Sequence, residues 1–103
     1  MQSAKPDAQI YWTTIHTAKN EHVMAVMRGT LVQVERMEDN TFTMTVQRAS
    51  FMTVYRHVTK PLKNSGVNVE AGEVIGVMDG KKDLELAIWD DGTFINPQEV
   101  IVW

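Results

Sequence analysis

Hydrophobic positions along the chain occur in short runs, and several runs alternate with polar positions at a period of two. That period is typical of a β-strand with one face toward a core. The clearest case is 41–48, where Phe42, Met44 and Val46 are predicted to face the core and the Thr and Gln residues between them to face solvent. Other runs rich in β-branched and aromatic residues predict strands at 23–28, 30–37, 51–58, 74–78, 84–89 and 93–95, with a short closing segment at 98–103.

Polar and glycine-containing segments separate these runs. Residues 38–40 (Glu-Asp-Asn) predict a tight turn, and residues 90–92 (Asp-Asp-Gly) predict a hairpin, because these residue types tolerate a positive φ. No window longer than about ten residues repeats with the helical period, and 57–64 has room for one helical turn at most. Many short strands with regular turns indicate an all-β barrel or sandwich. Residues 1–9 predict a flexible lead-in, which leaves 10–103 as one domain.

Composition excludes several kinds of protein. A formal net charge of −3 argues against a dedicated nucleic-acid binder. No apolar run is long enough to span a membrane. The absence of cysteine excludes a disulfide scaffold, a cysteine nucleophile and a thiolate zinc site. The seven methionines are expected to serve as adaptable core filler.

A family resemblance starts at 66–76, which reads GVNVEAGEVIG. Gly66 and Gly72 permit two tight turns around a short strand. The stretch resembles the "G-x-x-V-x-x-G-x-x-I-G" hammerhead of barrel-sandwich hybrid folds. Two groups of proteins use that hammerhead: biotinyl and lipoyl carrier domains, and the lysostaphin-type (LytM-like) zinc metallopeptidases that cut peptidoglycan cross-bridges.

Three further blocks favour the peptidase group. The stretch 23–32 resembles its "V-x-A-x-x-x-G-x-V" entry, and 52–58 (MTVYRHV) resembles its "T-x-Y-x-H-L" strand. The stretch 83–97 resembles its "H-x-H-F-E-I-W-x-x-G-x-x-x-N-P" ending. Together the blocks cover about 10–103, and the resemblance implies a barrel-sandwich hybrid (duplicated hybrid motif) with mainly antiparallel sheets.

The family's zinc ligands are replaced in this chain. The resemblance implies a zinc held by a His and an Asp four residues apart and by the second His of H-x-H. Those positions carry Ile10, Thr14 and Glu85. Of the assisting residues, only the histidine of the Tyr-x-His strand is retained. We therefore predict an inactive relative without bound zinc, with no catalytic residue and no metal ligand. Its remnant cleft is expected at Ile10, Thr14, Tyr55, His57, Asp83 and Glu85.

Two metal-dependent alternatives stay open. Asp83 and Glu85 are two apart on a strand and so share one face, toward His57 on the family fold. These groups suit either a residual divalent-ion site or an acidic, solvated cleft. His16 and Asn20 repeat the four-residue spacing, although Asn is a poor zinc ligand. A metal-dependent peptidoglycan endopeptidase with a non-standard site is thus the alternative function.

The carrier group gives a third alternative. Lys81 and Lys82 lie in a predicted turn, as a biotinylated or lipoylated lysine must. Their flanks do not resemble the "M-K-M" or "D-K-A" context of carrier domains, so we consider this function the weakest of the three.

By resemblance, the role of the domain is binding. Degenerate family members regulate cell-wall amidases or act as scaffolds, which implies a protein partner or a peptidoglycan peptide. An acidic cleft would suit a positively charged group of either. Trp89 and Trp103 are candidate contact residues. The implied location is the bacterial cell envelope, periplasmic or extracellular. Because 1–9 carries no signal peptide, we expect a trimmed upstream anchor or an artificial start.

Overall fold

The computed structural model describes residues 12–90 and 93–95, and all of its regular structure is β. Its ten strands are β1 (Thr13–Ile15), β2 (Lys19–Met24), β3 (Gly29–Arg36), β4 (Phe42–Arg48), β5 (Phe51–Val58), β6 (Lys60–Pro61), β7 (Asn68–Val69), β8 (Val74–Asp79), β9 (Leu84–Asp90) and β10 (Thr93–Ile95). The prediction of an all-β domain is confirmed.

The strands form two antiparallel sheets. The larger has seven strands in the order β1-β9-β5-β4-β3-β7, with β10 also paired to β9. Both β1 and β10 pair with β9, β1 along 84–86 and β10 along 88–90. The smaller sheet has three strands in the order β2-β8-β6. All described pairings are antiparallel, as the family resemblance implied.

The predicted strands and the observed ones differ mainly at the short elements. Strands β1, β6 and β7 have two or three residues each, which is too short to show a period. The segment 57–64, allowed one helical turn by the sequence, contributes β6 instead. Strand β2 runs four residues earlier than predicted. The lead-in 1–9, residues 91–92 of the predicted hairpin and the closing segment 98–103 lie outside the described residues.

The prediction that the Thr and Gln side chains of 41–48 face solvent holds for Gln47, which is exposed, and is wrong for Thr45. Met44 and Val46 are buried as expected, but Thr45 is only 6% exposed. Because β4 is a central strand, Thr45 lies between Gln33 of β3 and Val54 of β5, its register partners. Neighbours on both sides therefore cover a residue that an isolated period-two pattern assigns to solvent.

The core lies between the two sheets. Each of its central side chains is less than 2% exposed, and burying one aliphatic side chain of this size contributes roughly 1.5–3 kcal/mol. The large sheet contributes Leu31, Met44, Val46, Tyr55, Val58 and Leu86, and the small sheet contributes Val23, Ile75 and Met78.

Gly76 in β8 lets the two sheets approach closely. A Cβ built there would lie 2.6 Å from Val58 Cγ1 and 3.2 Å from the carbonyl oxygen of Lys60. The first distance is shorter than packed carbon atoms adopt. We expect Gly76→Ala to lower the free energy of unfolding by about 1–3 kcal/mol through overpacking, measured by urea denaturation.

A double-mutant cycle tests that cause. Val58→Ala removes the atom that the new methyl group meets, so the two substitutions together should cost less than the sum of their separate effects. Additive costs would contradict a steric origin. Gly66→Ala is the comparison, because a Cβ there meets no atom within 4 Å and any cost comes from the positive φ of 97° and not from a clash.

Candidate functional site

Three neighbouring strands place polar side chains in one row across the large sheet. Thr14 of β1 pairs directly with Glu85 of β9, and Glu85 pairs directly with Arg56 of β5. Directly opposed residues of antiparallel strands point to the same face. The adjacent row, Tyr55 and Leu86, is buried in the core. The row of Thr14, Glu85 and Arg56 therefore lies on the opposite face of the sheet.

A cavity of about 400 Å³ opens beside this row, and we call it the cleft. It brings together four of the six positions that the sequence assigned to the remnant site. Ile10 lies outside the described residues, and Tyr55 is not among the cleft residues. The cleft is lined by Thr14, His57, Lys81, Lys82, Asp83 and Glu85.

His57 sits in a β-bulge with an unusual backbone. The pairing of β4 with β5 shifts register between Phe42 and Met44, which leaves an extra residue in β5. His57 has a φ of 73°, in the left-handed region that costs a non-glycine residue about 1–2 kcal/mol. Histidine is among the side chains enriched there. The bulge turns His57 toward the segment that begins β9.

The imidazole of His57 is held by its Nδ1 atom. Nδ1 lies 3.0 Å from the carbonyl oxygen of Asp83. A carbonyl oxygen only accepts, so Nδ1 carries the hydrogen and donates it. In the neutral ring this leaves Nε2 as an acceptor. Glu85 Oε1 lies 3.8 Å from the same Nδ1 atom.

Both carboxylates of the cleft already have cationic or hydrogen-bonding partners. Asp83 Oδ1 lies 2.9 Å from Nδ1 of His16, which is exposed. Glu85 accepts a hydrogen bond from Nε of Arg56, and the Arg56 guanidinium lies 3.9 Å from the centre of the Trp12 ring. Trp12, Arg56 and Glu85 thus form a stacked and ion-paired unit beside His57.

The expectation of an acidic cleft is wrong. Two lysines line the cleft together with Asp83 and Glu85, so its formal charges balance. Lys82 binds the carboxylate of Asp39 in the turn between β3 and β4. Asp83 is paired with His16, and Glu85 is paired with Arg56. A positively charged ligand would compete with these partners for either carboxylate.

The donor set does not fit zinc. Thr14 offers a neutral hydroxyl, and Glu85 is held by Arg56 on a neighbouring strand. Zinc sites in proteins use three or four thiolate, imidazole or carboxylate ligands. In the part of the chain that the structure describes, no three His, Asp or Glu side chains come together in a way that could hold a metal ion.

Tyr55 lies in the core, which differs from the predicted position in the cleft. Its side chain is 1% exposed. Its oxygen accepts hydrogen bonds from the backbone N–H of Val26 at 2.9 Å and from the hydroxyl of Thr53 at 3.1 Å. Burial raises the pKa of the Tyr55 hydroxyl, so the group stays neutral. The contact with Val26 holds the β2–β3 connection against the large sheet.

The remaining predicted residues lie as follows. Trp89 is half-buried on β9, four residues beyond Glu85 and therefore on the same face of the strand. Its register partner on β5 is Met52. Trp103 lies outside the described residues. Sequence reasoning missed Arg56 and Trp12, which no spacing connects to Glu85 before the strand register is known.

Comparison with known proteins gives the family. The model for peptidase family M23 matches residues 11–97. The chain belongs to peptidase family M23. No curated protein matches the sequence.

Solved structures share the fold of this M23 domain. A crystal structure of a SpoIIIAH and SpoIIQ complex matches with a TM-score of 0.72 and 24% identity, over 81% of this chain and 64% of that chain. A SpoIIQ–SpoIIIAH pore forming complex gives 0.71 and 24%, over 81% and 58%. CbpA from L. salivarius REN gives 0.68 and 21%, over 78% and 63%. This M23 domain therefore spans less than two thirds of each of those chains.

Within residues 12–90 and 93–95, no helix of the M23 domain has the length and hydrophobicity that crossing a bilayer requires.

Asp39 binds Lys82, which lines the cleft, so the pKa of Asp39 reports on that contact. Lys82 and the hydroxyl and backbone N–H of Thr41 hold the pKa of the Asp39 carboxyl well below its usual range. Because the folded-state pKa is lowered, this contribution to stability is complete above about pH 4 and is lost as pH falls through the folded-state pKa. We expect Lys82→Met to raise the Asp39 pKa, measured by NMR titration of its carboxyl carbon.

Lys81→Met provides the control for that titration. Lys81 lines the same cleft but is not among the groups that lower the pKa of Asp39. An equal upward shift in both variants would mean that general charge, rather than the Lys82 contact, sets the Asp39 pKa.

Proposed function

We propose that this M23 domain is a non-catalytic binding module of the bacterial cell envelope. The observation that carries the proposal is the state of Glu85. At the position where the family places its third zinc ligand, the carboxylate is bound by Arg56, which itself stacks on Trp12. A carboxylate paired with an internal cation is poorly suited to bind zinc, since the metal and the guanidinium would compete for its negative charge.

The neighbouring side chains support the same proposal. Metal-assisted hydrolysis needs an ion that polarises the carbonyl and activates a water. Thr14 replaces an anionic ligand by a neutral hydroxyl, and Asp83 is occupied by His16. His57 donates through Nδ1, which leaves Nε2 of the neutral ring as an acceptor, but a histidine alone supplies no Lewis acid. The cleft offers hydrogen-bonding groups in place of the metal.

We propose a segment of a protein partner as the ligand of the cleft. A peptidoglycan peptide is the alternative, since it also offers peptide groups. Two of the solved structures with this fold are complexes of two proteins, which supports assembly as the role. An extended peptide would meet the Thr14 hydroxyl, the His57 ring and the Lys81 ammonium group along the cleft. These groups suit a peptide backbone and a carboxylate better than a cationic group.

Zinc content and hydrolysis test the catalytic half of the proposal. After purification and desalting, we expect elemental analysis to find no stoichiometric zinc. We also expect no cleavage of purified peptidoglycan, with or without added zinc. Near-stoichiometric zinc that is lost in Glu85→Ala, together with cleavage, would establish the non-standard endopeptidase instead.

NMR titrations test the second half of the proposal, that the domain binds a ligand in its cleft. Soluble muropeptides and partner candidates from the cell envelope are titrated against the labelled domain, with amide shifts of 14, 57 and 81–85 as the readout. Lys81→Glu should weaken a ligand that enters the cleft, whereas Lys60→Glu, an exposed lysine of β6 outside it, should not. Equal effects of both variants would place binding elsewhere.

A further inference from the structure

A second cavity lies away from the cleft, where β3, β4 and β7 meet. It has a volume of about 380 Å³ and shares no lining residue with the cleft. We call it the arginine groove. Its polar lining consists of Arg28, Thr30, Gln47, Arg48, Asn68 and Glu70.

The strand register aligns the neutral donors of the groove. Thr30 pairs directly with Gln47 on one side and with Asn68 on the other, so the three side chains share one face of the sheet. The Thr30 hydroxyl donates to Asn68 Oδ1 at 2.9 Å. Its oxygen accepts this hydrogen bond, and Asn68 keeps its amide N–H groups as donors.

Two guanidinium groups add positive charge to these donors. Among the ion pairs of the described residues, Arg56, Lys63 and Lys82 each bind a carboxylate, and neither Arg28 nor Arg48 does. Glu70 is the acidic residue of the lining and offsets part of that charge. The groove keeps a net positive charge and an excess of N–H donors.

Arg48 lies next to the groove at a tight turn that ends β4. Arg48 pairs with Phe51, so only two residues connect β4 to β5. Ala49 in this turn has a φ of 53°, the left-handed conformation that two-residue hairpins require. Arg48 at the end of β4 and Arg28 directly before β3 both line the groove.

We propose that the arginine groove binds an oxyanion, a carboxylate or phosphate group carried by a ligand, between Arg28 and Arg48. A guanidinium presents paired N–H donors whose spacing matches two oxygens of such a group. The Asn68 amide supplies further donors, as does the second N–H of Gln47, whose Nε2 already donates to the Ala49 carbonyl oxygen at 3.4 Å. This site is separate from the cleft, so it would contact a second part of a bound partner.

The test is an NMR titration of the whole chain with sodium phosphate and, separately, with sodium acetate at constant ionic strength. We expect saturable amide shifts confined to 28–30, 47–49 and 68–70. Stronger binding of phosphate identifies a phosphate ligand, and equal or stronger binding of acetate identifies a carboxylate ligand. Shifts that do not saturate with either ion, or that spread over the surface, overturn the proposal.

Charge variants make the test specific. Arg28→Gln and Arg48→Gln should each weaken binding about two- to fivefold, the range for exposed ion pairs, and Glu70→Gln should strengthen it. Arg36→Gln is the matched control, because it removes the same charge from an exposed arginine whose guanidinium binds Asn40 instead. Equal weakening in Arg36→Gln would reduce the effect to net charge and refute the site. Thermal melting confirms that each variant is folded.

Discussion

Met44→Ala is expected to lower the free energy of unfolding by about 2–5 kcal/mol, the range for truncating a fully buried large side chain. Met44 is 0% exposed in the central strand β4. Its sulfur lies 3.6 Å from where a Cβ of Gly76 would be, so it fills the space that the glycine leaves open between the sheets. Truncation leaves a cavity that the rigid sheets on either side can close only in part.

Met24→Ala provides the matched control for this substitution. Met24 is 54% exposed at the end of the edge strand β2, so the same change there should alter stability by less than about 0.5 kcal/mol. Urea denaturation of both variants gives the comparison. A loss below about 1 kcal/mol for Met44→Ala would mean that the sheets collapse onto the vacated volume, contrary to the packing described.

Methionine content alone could not separate these two cases. The sequence analysis assigned the methionines together to the core, which holds for Met44 and Met78. Met24 and Met37 are exposed, because each lies at the end of a strand where the chain leaves the sheet. A methionine's environment depends on its place in the strand, which composition does not report.

The long strands were predictable because burial imposes a period that the sequence records. Strand β2 shows where this fails. Its polar residues 19–22 hydrogen-bond with β8 through their backbones at a sheet edge, so their side chains carry no pattern. Val26, predicted to continue the strand, instead donates its N–H to the Tyr55 hydroxyl. The regular pairing of β2 ends next to this contact with a side chain of β5, and the local sequence does not predict the contact.

The cleft likewise has one feature that the sequence predicted and one that it did not. The motif register brought Thr14, His57, Asp83 and Glu85 to one cavity, because the strand pairing of the fold fixes their positions. The electrostatics of that cavity were not predictable. Arg56 is 29 residues from Glu85, and His16 is 67 residues from Asp83. The partners of the two carboxylates are visible only when the strands are aligned.

Restoring the family's ligands should convert the domain into a zinc protein. We expect the triple variant Ile10→His, Thr14→Asp, Glu85→His to retain about one zinc ion per chain through desalting. Thr14 and Glu85 are direct register partners, so their Cβ atoms are about 4.5–5.5 Å apart. An aspartate and a histidine introduced there can both reach one ion at about 2 Å. Arg56 loses its partner but is part-exposed, so water can solvate it.

Elemental analysis and thermal melting with added zinc or EDTA measure the gain. The zinc-loaded triple variant should melt at a higher temperature than its EDTA-treated form, because an ion that binds only the folded state stabilises it. Placing the first histidine one residue earlier, with Gln9→His in place of Ile10→His, tests the register and should lose tight binding. Equal zinc in the two triple variants would show that the assignment of position 10 is wrong. Stoichiometric zinc in the unaltered chain would instead show that the cleft already holds the ion, and the inactive assignment would fail with it.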